Sequence, residues 1–125
     1  MGSASNEKAE LRVEQGALIC NDVSFSGKIS FGSGTIVHPK AHILAEAGPI
    51  VIGENNLIEE DAHIINRQSS SSQSSPRTMH IGNSNVFEIG SRTEAAKIGD
   101  HNVVEIRGRI HAYFRVLQLY VQYDT

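Results

Sequence analysis

Six histidines, His38, His42, His63, His80, His101 and His111, are the side chains of this sequence best suited to holding a metal or moving a proton near neutral pH. A catalytic zinc needs three protein donors and one open position, so histidine number matters less than histidine placement. His42 and His63 hold the same place in a repeating pattern and are expected to stack on adjacent turns of chain. The sequence offers that pair no third ligand. Three glutamates, Glu59, Glu88 and Glu105, invite a general acid/base reading. They recur at the same position of one motif, however, and a solvated acidic rim or a stripe facing a basic partner explains them better. The single Cys20 cannot form an internal disulfide, and no CxxC or Cys/His cluster with zinc-finger spacing accompanies it.

The elements that must position these residues follow a period of six. Apolar residues fall at Val13, Ile19, Phe25, Phe31, Val37 and Ile43, and two positions before most of them stand Ala17, Val23, Ile29, Thr35 and Ala41. The phase jumps by three across Ala45 to Pro49 and resumes at Ile52, Ile58 and Ile64, so a Gly-Pro bulge is expected there. One motif occurs three times, beginning at Ile52-Gly53, Ile81-Gly82 and Ile98-Gly99, and each copy ends in Asn, an aliphatic residue, an apolar residue and Glu. A strand that turns a corner every six residues points alternate side chains inward, and three such sides make a coil. Stacked coils lie about 4.8 Å apart, so the inward Asn of one coil is within reach of its equivalent in the next. Neither the unphased strands of a β-sandwich nor the helical periods of an α/β domain occur before Ile110.

The fold class expected is therefore all-β, a parallel β-helix spanning residues 11–110, with Ile52, Ile58, Ile64, Ile81, Phe87, Ile98 and Val104 inward. Residues 1–10 read as a flexible N-terminus. Residues 67–78 (RQSSSSQSSPRT) read as a mobile loop, in which Ser75 is a minimal proline-directed phosphorylation motif but an unmodified linker is the better reading. Residues 111–125 read as a divergent cap or tail, where Ile110, Phe114, Leu117 and Val121 keep helical spacing while Leu117, Leu119, Val121 and Tyr123 alternate like a strand. With a formal net charge of −3 and no basic stripe, nucleic acid is not expected as a partner. No apolar run approaches the roughly 18 residues of a membrane span, and no signal-peptide core precedes Glu10, so direct membrane insertion is not expected.

The run Gly34 to Glu60, with its HPKA and AEAGPIVIGE segments, resembles the small β-helix subunits of dynactin, within the wider hexapeptide-repeat, γ-carbonic-anhydrase-like family. Ile81 to Glu88 and Lys97 to Glu105 share the resemblance, which covers about residues 13 to 106. It implies a left-handed β-helix that pairs with dynactin subunit 5 in the pointed-end complex, beside the actin-related protein and a larger zinc-containing subunit. It also implies a cytoplasmic, cytoskeleton-associated location and a role in dynein-dependent microtubule transport and cargo attachment. Family members continue with further coils, whereas here the match stops near Ile106, so a truncated or divergent C-terminus is expected.

The same wider family includes enzymes, so catalysis has to be tested on the residues. Its carbonic anhydrases bind zinc through three histidines, and placing this sequence on that pattern through Ile52-Gly53 and Ile81-Gly82 puts Ile65, Ile89 and Glu94 at the ligand positions. Two isoleucines cannot serve. An acyltransferase reading would nominate His101 or His38, yet no companion base or acyl-carrier loop is recognisable. The expectation is a noncatalytic assembly subunit with no metal and no cofactor, whose low-specificity candidates for partner binding are Glu59, Glu88 and Glu105. A divergent hexapeptide-repeat enzyme is the alternative.

Overall fold

The structure, a computed structural model, describes residues 8–67 and 77–111 and the backbone of Arg115–Val116. Most of the Ser-rich segment including Ser75, the first seven residues, and Phe114, Leu117 and Val121 of the tail lie outside the described residues. The chain winds as a parallel β-helix with no helix among the described residues. Strands β1 (Glu10–Val13), β4 (Lys28–Phe31), β7 (Ile50–Ile52), β10 (Met79–Ile81), β13 (Lys97–Ile98) and β16 (Arg115–Val116) stack in that order as the first sheet. The second sheet stacks β2 (Leu18–Ile19), β5 (Ile36–Val37), β8 (Leu57–Ile58), β11 (Val86–Phe87) and β14 (Val103–Val104). The third stacks β3 (Ser24–Ser26), β6 (His42–Ala45), β9 (His63–Asn66), β12 (Arg92–Thr93) and β15 (Arg109–Ile110).

Register follows the sequence period and its interruptions. Glu10 pairs with Lys28, one 18-residue coil on. Phe31 pairs with Ile52, three residues further than that period, because the Gly48-Pro49 bulge is absorbed between β6 and β7. Asn66 holds this corner together: its amide nitrogen donates to the carbonyls of Gly48 at 3.1 Å and Arg77 at 2.6 Å, so one buried side chain ties the bulge to the far end of the Ser-rich segment.

The interior is a stack of aliphatic and aromatic columns. Ile52, Ile58, Ile64, Ile81, Phe87, Ile98 and Val104 are all buried in it, as expected from the period. Full burial of one such side chain contributes about 1.5–3 kcal/mol. Val13, although in phase, is exposed, because no coil among the described residues stacks on the outer side of β1. Two inward hydroxyls in the third sheet's columns, Ser91 Oγ and Thr93 Oγ1, have no hydrogen-bond partner.

The thrice-repeated motif has a physical reason at each position. Its Ile is the inward residue. Its Gly stacks on the next coil's Gly so closely that a Cβ on Gly53 would meet the Gly82 carbonyl at 2.6 Å, and one on Gly82 the Gly99 carbonyl at 2.7 Å. The polar residue that follows caps the preceding coil: Asn83 Oδ1 accepts from the Glu54 amide and Asp100 Oδ1 from the Asn83 amide, both at 2.7 Å. The next residue takes a left-handed corner, with φ of 57° at Asn55, 60° at Ser84 and 62° at His101. The motif's Asn then points inward. Asn56, Asn85 and Asn102 form a buried ladder in which Asn85 Nδ2 donates to Asn56 Oδ1 at 3.0 Å and Asn85 Oδ1 accepts from the Asn102 amide at 2.8 Å.

Candidate functional site

The outward side chains of the second sheet form an unbroken aliphatic column. Leu18, Ile36, Leu57, Val86 and Val103 are successive partners in the strand register. They face away from the core because side chains alternate along a strand and their neighbours Ile19, Val37, Ile58, Phe87 and Val104 face in. Leu18 is 57% exposed and Val103 37%, while the three between are half-buried against one another. Two further exposed isoleucines, Ile89 and Ile106, lie beyond the ends of β11 and β14. A flat apolar stripe across every strand of one sheet is more than scattered surface hydrophobicity; such patches mark contact surfaces.

Directly beside it run the glutamates. The amide of Glu59 donates to the Phe87 carbonyl at 2.9 Å and that of Glu88 to the Val104 carbonyl at 2.8 Å, so Glu59, Glu88 and Glu105 follow the inward residues of three successive coils in one half-buried column. His38 extends the column by one coil, its amide donating to the Ile58 carbonyl at 2.9 Å. Glu88 Oε1 also accepts from the Ile106 amide at 3.2 Å, which fixes one carboxylate beside an exposed isoleucine. The thrice-repeated motif contained three of the stripe's residues, Leu57, Val86 and Val103, without giving them a role.

Of the positions aligned with zinc ligands, Ile65 is buried, Ile89 is exposed, and Glu94 accepts from Arg92 at 2.7 Å and pairs with Arg67 at 3.3 Å. His80, His101 and His111 are exposed. His42 and His63, in contrast, are register partners whose rings stack with centroids 4.3 Å apart and planes 11° from parallel. Asp61, in a left-handed corner with φ of 61°, places Oδ1 3.4 Å from His63 Nε2. One ligand atom from each of the three lies within 4.8 Å of the others, the one such group among the described residues.

Burial lowers the pKa of His63 below its ordinary 6.5, with His42 and Arg92 acting in the same direction and Asp61 opposing them. A lowered folded-state value means that the unfolded chain binds more protons just below 6.5, so stability is full above that pH and falls as pH drops through the folded value. Urea midpoints measured in EDTA buffers should therefore decline with acidification from 6.5, and His63→Asn should remove part of the slope. An unchanged slope in that variant contradicts the assignment.

Comparison with known proteins adds a relationship to this geometry. The chain is 46% identical over 114 residues to dynactin subunit 6 of Nematostella vectensis, a match taking in 88% of this chain and 62% of that protein. The Xenopus tropicalis protein of the same name is 46% identical over 108 residues (83% of this chain, 54% of that one), and the Dictyostelium discoideum one 43% over 96 residues (75% and 47%). Over most of its length this chain is a homologue of proteins named dynactin subunit 6. It spans roughly half to three-fifths of the length of these relatives, 47% to 62%. No protein-family model matches it. The similarity to these proteins and the parallel β-helix agree with the resemblance carried by residues 34–60.

Proposed function

We propose that this chain is a noncatalytic, protein-binding subunit of dynactin that docks its sister β-helix, dynactin subunit 5, through the outer face of the second sheet. The observation that carries this reading is the aliphatic column Leu18, Ile36, Leu57, Val86 and Val103 with the glutamate column beside it. The kinship with proteins named dynactin subunit 6 supplies the complex. A stack of coils held by parallel ladders presents this face preformed, so little ordering entropy opposes association. Aliphatic side chains give the contact its affinity, while Glu59, Glu88 and Glu105 steer a basic partner and alter rate more than affinity. Placement at the pointed end with the actin-related protein, in the cytoplasm on the microtubule transport machinery, completes the reading. Catalysis has no place in it, because Ile65, Ile89 and Glu94 cannot supply the three donors that a carbonic-anhydrase zinc requires.

Co-expression with dynactin subunit 5 and size-exclusion chromatography tests the proposal. The parent chain should co-elute, and the double variant Leu57→Glu, Val86→Glu should lose at least about tenfold in affinity, which is about 1.4 kcal/mol, with its circular dichroism unchanged. Substituting Glu59, Glu88 and Glu105 together by Gln should slow association and flatten its salt dependence. Failure of the parent to co-elute rejects docking. Undiminished binding by the double variant rejects this face.

A further inference from the structure

We propose that His42, Asp61 and His63 form a binding site for one divalent transition-metal ion, zinc foremost, that clamps two adjacent coils of the β-helix. The two imidazoles and the carboxylate offer donors that already lie within 4.8 Å of one another. A tetrahedral zinc holds nitrogen and oxygen donors at about 2.0–2.2 Å, which places them about 3.3–3.5 Å apart. His63 Nε2 and Asp61 Oδ1, at 3.4 Å, meet that spacing as they stand. The His42 ring must turn about its side-chain bonds to bring its nitrogen in, and its half-exposed position leaves it room to do so.

The backbone beneath these donors is fixed. The His42 amide donates to the Ala62 carbonyl and the His63 amide to the Ser91 carbonyl, each at 2.8 Å, and the two residues are register partners between β6 and β9. Asp61 sits in a turn closed by the Ala62 amide donating to the Glu59 carbonyl at 3.1 Å. Little backbone movement is therefore needed to bind. Two cations lie close by: Arg92, the next register partner of His63, has its guanidinium engaged by Glu94 at 2.7 Å, and Arg107 packs around Gly90 as the Asp61 carboxylate does. On the other side His42 is paired with Ser24, an uncharged neighbour.

Two imidazoles and one carboxylate suit zinc, nickel or copper, whereas magnesium and calcium take oxygen donors. Water fills the fourth position, since the site is open to solvent. The pair of histidines was expected from the sequence to lack a third ligand; the corner that precedes β9 supplies it from Asp61. The metal's mechanical role follows from its place, bridging the coils on either side of the three-residue bulge at Gly48-Pro49.

Equilibrium dialysis of the untagged, EDTA-stripped full chain against zinc is the test, with thermal unfolding as second readout. One zinc per chain should bind saturably and raise the unfolding temperature, and excess magnesium should neither compete nor stabilise. His42→Asn, Asp61→Asn and His63→Asn should each weaken binding about tenfold or more, while His38→Asn and His101→Asn, which remove histidines elsewhere, should leave it unchanged. Absence of saturable zinc, or parent-like affinity in both His42→Asn and His63→Asn, overturns the proposal. The docking face is on a different sheet, so loss of zinc and loss of subunit binding report separately.

Discussion

Phe87→Ala is expected to lower the stability of the chain by about 3–5 kcal/mol, the range for deleting a buried aromatic side chain. Phe87 is fully buried in β11, with Ile58 and Val104 as register partners on either side. The hole it leaves cannot collapse easily. Coil spacing is set by parallel ladders on all three sheets, and a backbone held at that spacing cannot close over a missing ring. Because coils contact only their neighbours, a cavity in the middle also weakens the coupling between the coils on either side. Equilibrium denaturation of the variant should show the loss in its midpoint and a broadened transition. A midpoint within about 1 kcal/mol of the parent would mean that β11 does not close the coil around Phe87.

The parts of this molecule that were readable from sequence are those imposed by repetition. Ile58, Phe87 and Val104 are inward because a side chain's face is fixed by its place in the hexad, and stacking carries that place from coil to coil. The phase jump at Ala45 to Pro49 was legible for the same reason, since an insertion in a regular period leaves a countable offset. Features built across the repeat were not. Asp61 lies two residues before His63, and only its left-handed corner turns its carboxylate toward that ring. Asn66 bonds to Gly48 and Arg77, which stand in the bulge and at the end of the Ser-rich sequence, two places where the hexad pattern assigns no inward position. Val13 is in phase yet exposed, because periodicity says which way a side chain points and not whether another coil lies beyond it. The outward stripe was visible as letters, Leu57, Val86 and Val103, but solenoid logic assigns meaning to inward positions first. Its significance needed the register that places Leu18 and Ile36 in line with them.

The second large effect should come from a polar residue. Asn85→Ala is expected to cost about 2–5 kcal/mol, because each buried polar group left without a partner costs about 1–3 kcal/mol. Asn85 Oδ1 accepts from the Asn102 amide at 2.8 Å, and its Nδ2 donates to the Gly99 carbonyl at 2.8 Å as well as to Asn56 Oδ1. Alanine removes both ends of the link at once, at a site sealed from water. The same column shows what a smaller side chain can replace. At Thr35 the hydroxyl donates to the Gly53 carbonyl at 2.7 Å and accepts from the Asn56 amide at 3.2 Å, reproducing with one oxygen the two bonds that Asn85 makes to the following coil. Asn85→Thr should therefore retain most of the stability that Asn85→Ala loses. Threonine also fills nearly the volume of asparagine, so Asn85→Val, which has threonine's shape without its hydroxyl, is the packing control. Parallel urea titrations of the parent and the three variants distinguish the ladder from simple packing. If valine recovers as much as threonine, the loss in alanine comes from the missing volume and the motif's asparagine is a space filler. If threonine recovers stability and valine does not, hydrogen bonding from coil to coil is the reason the motif carries Asn at this position in all three copies.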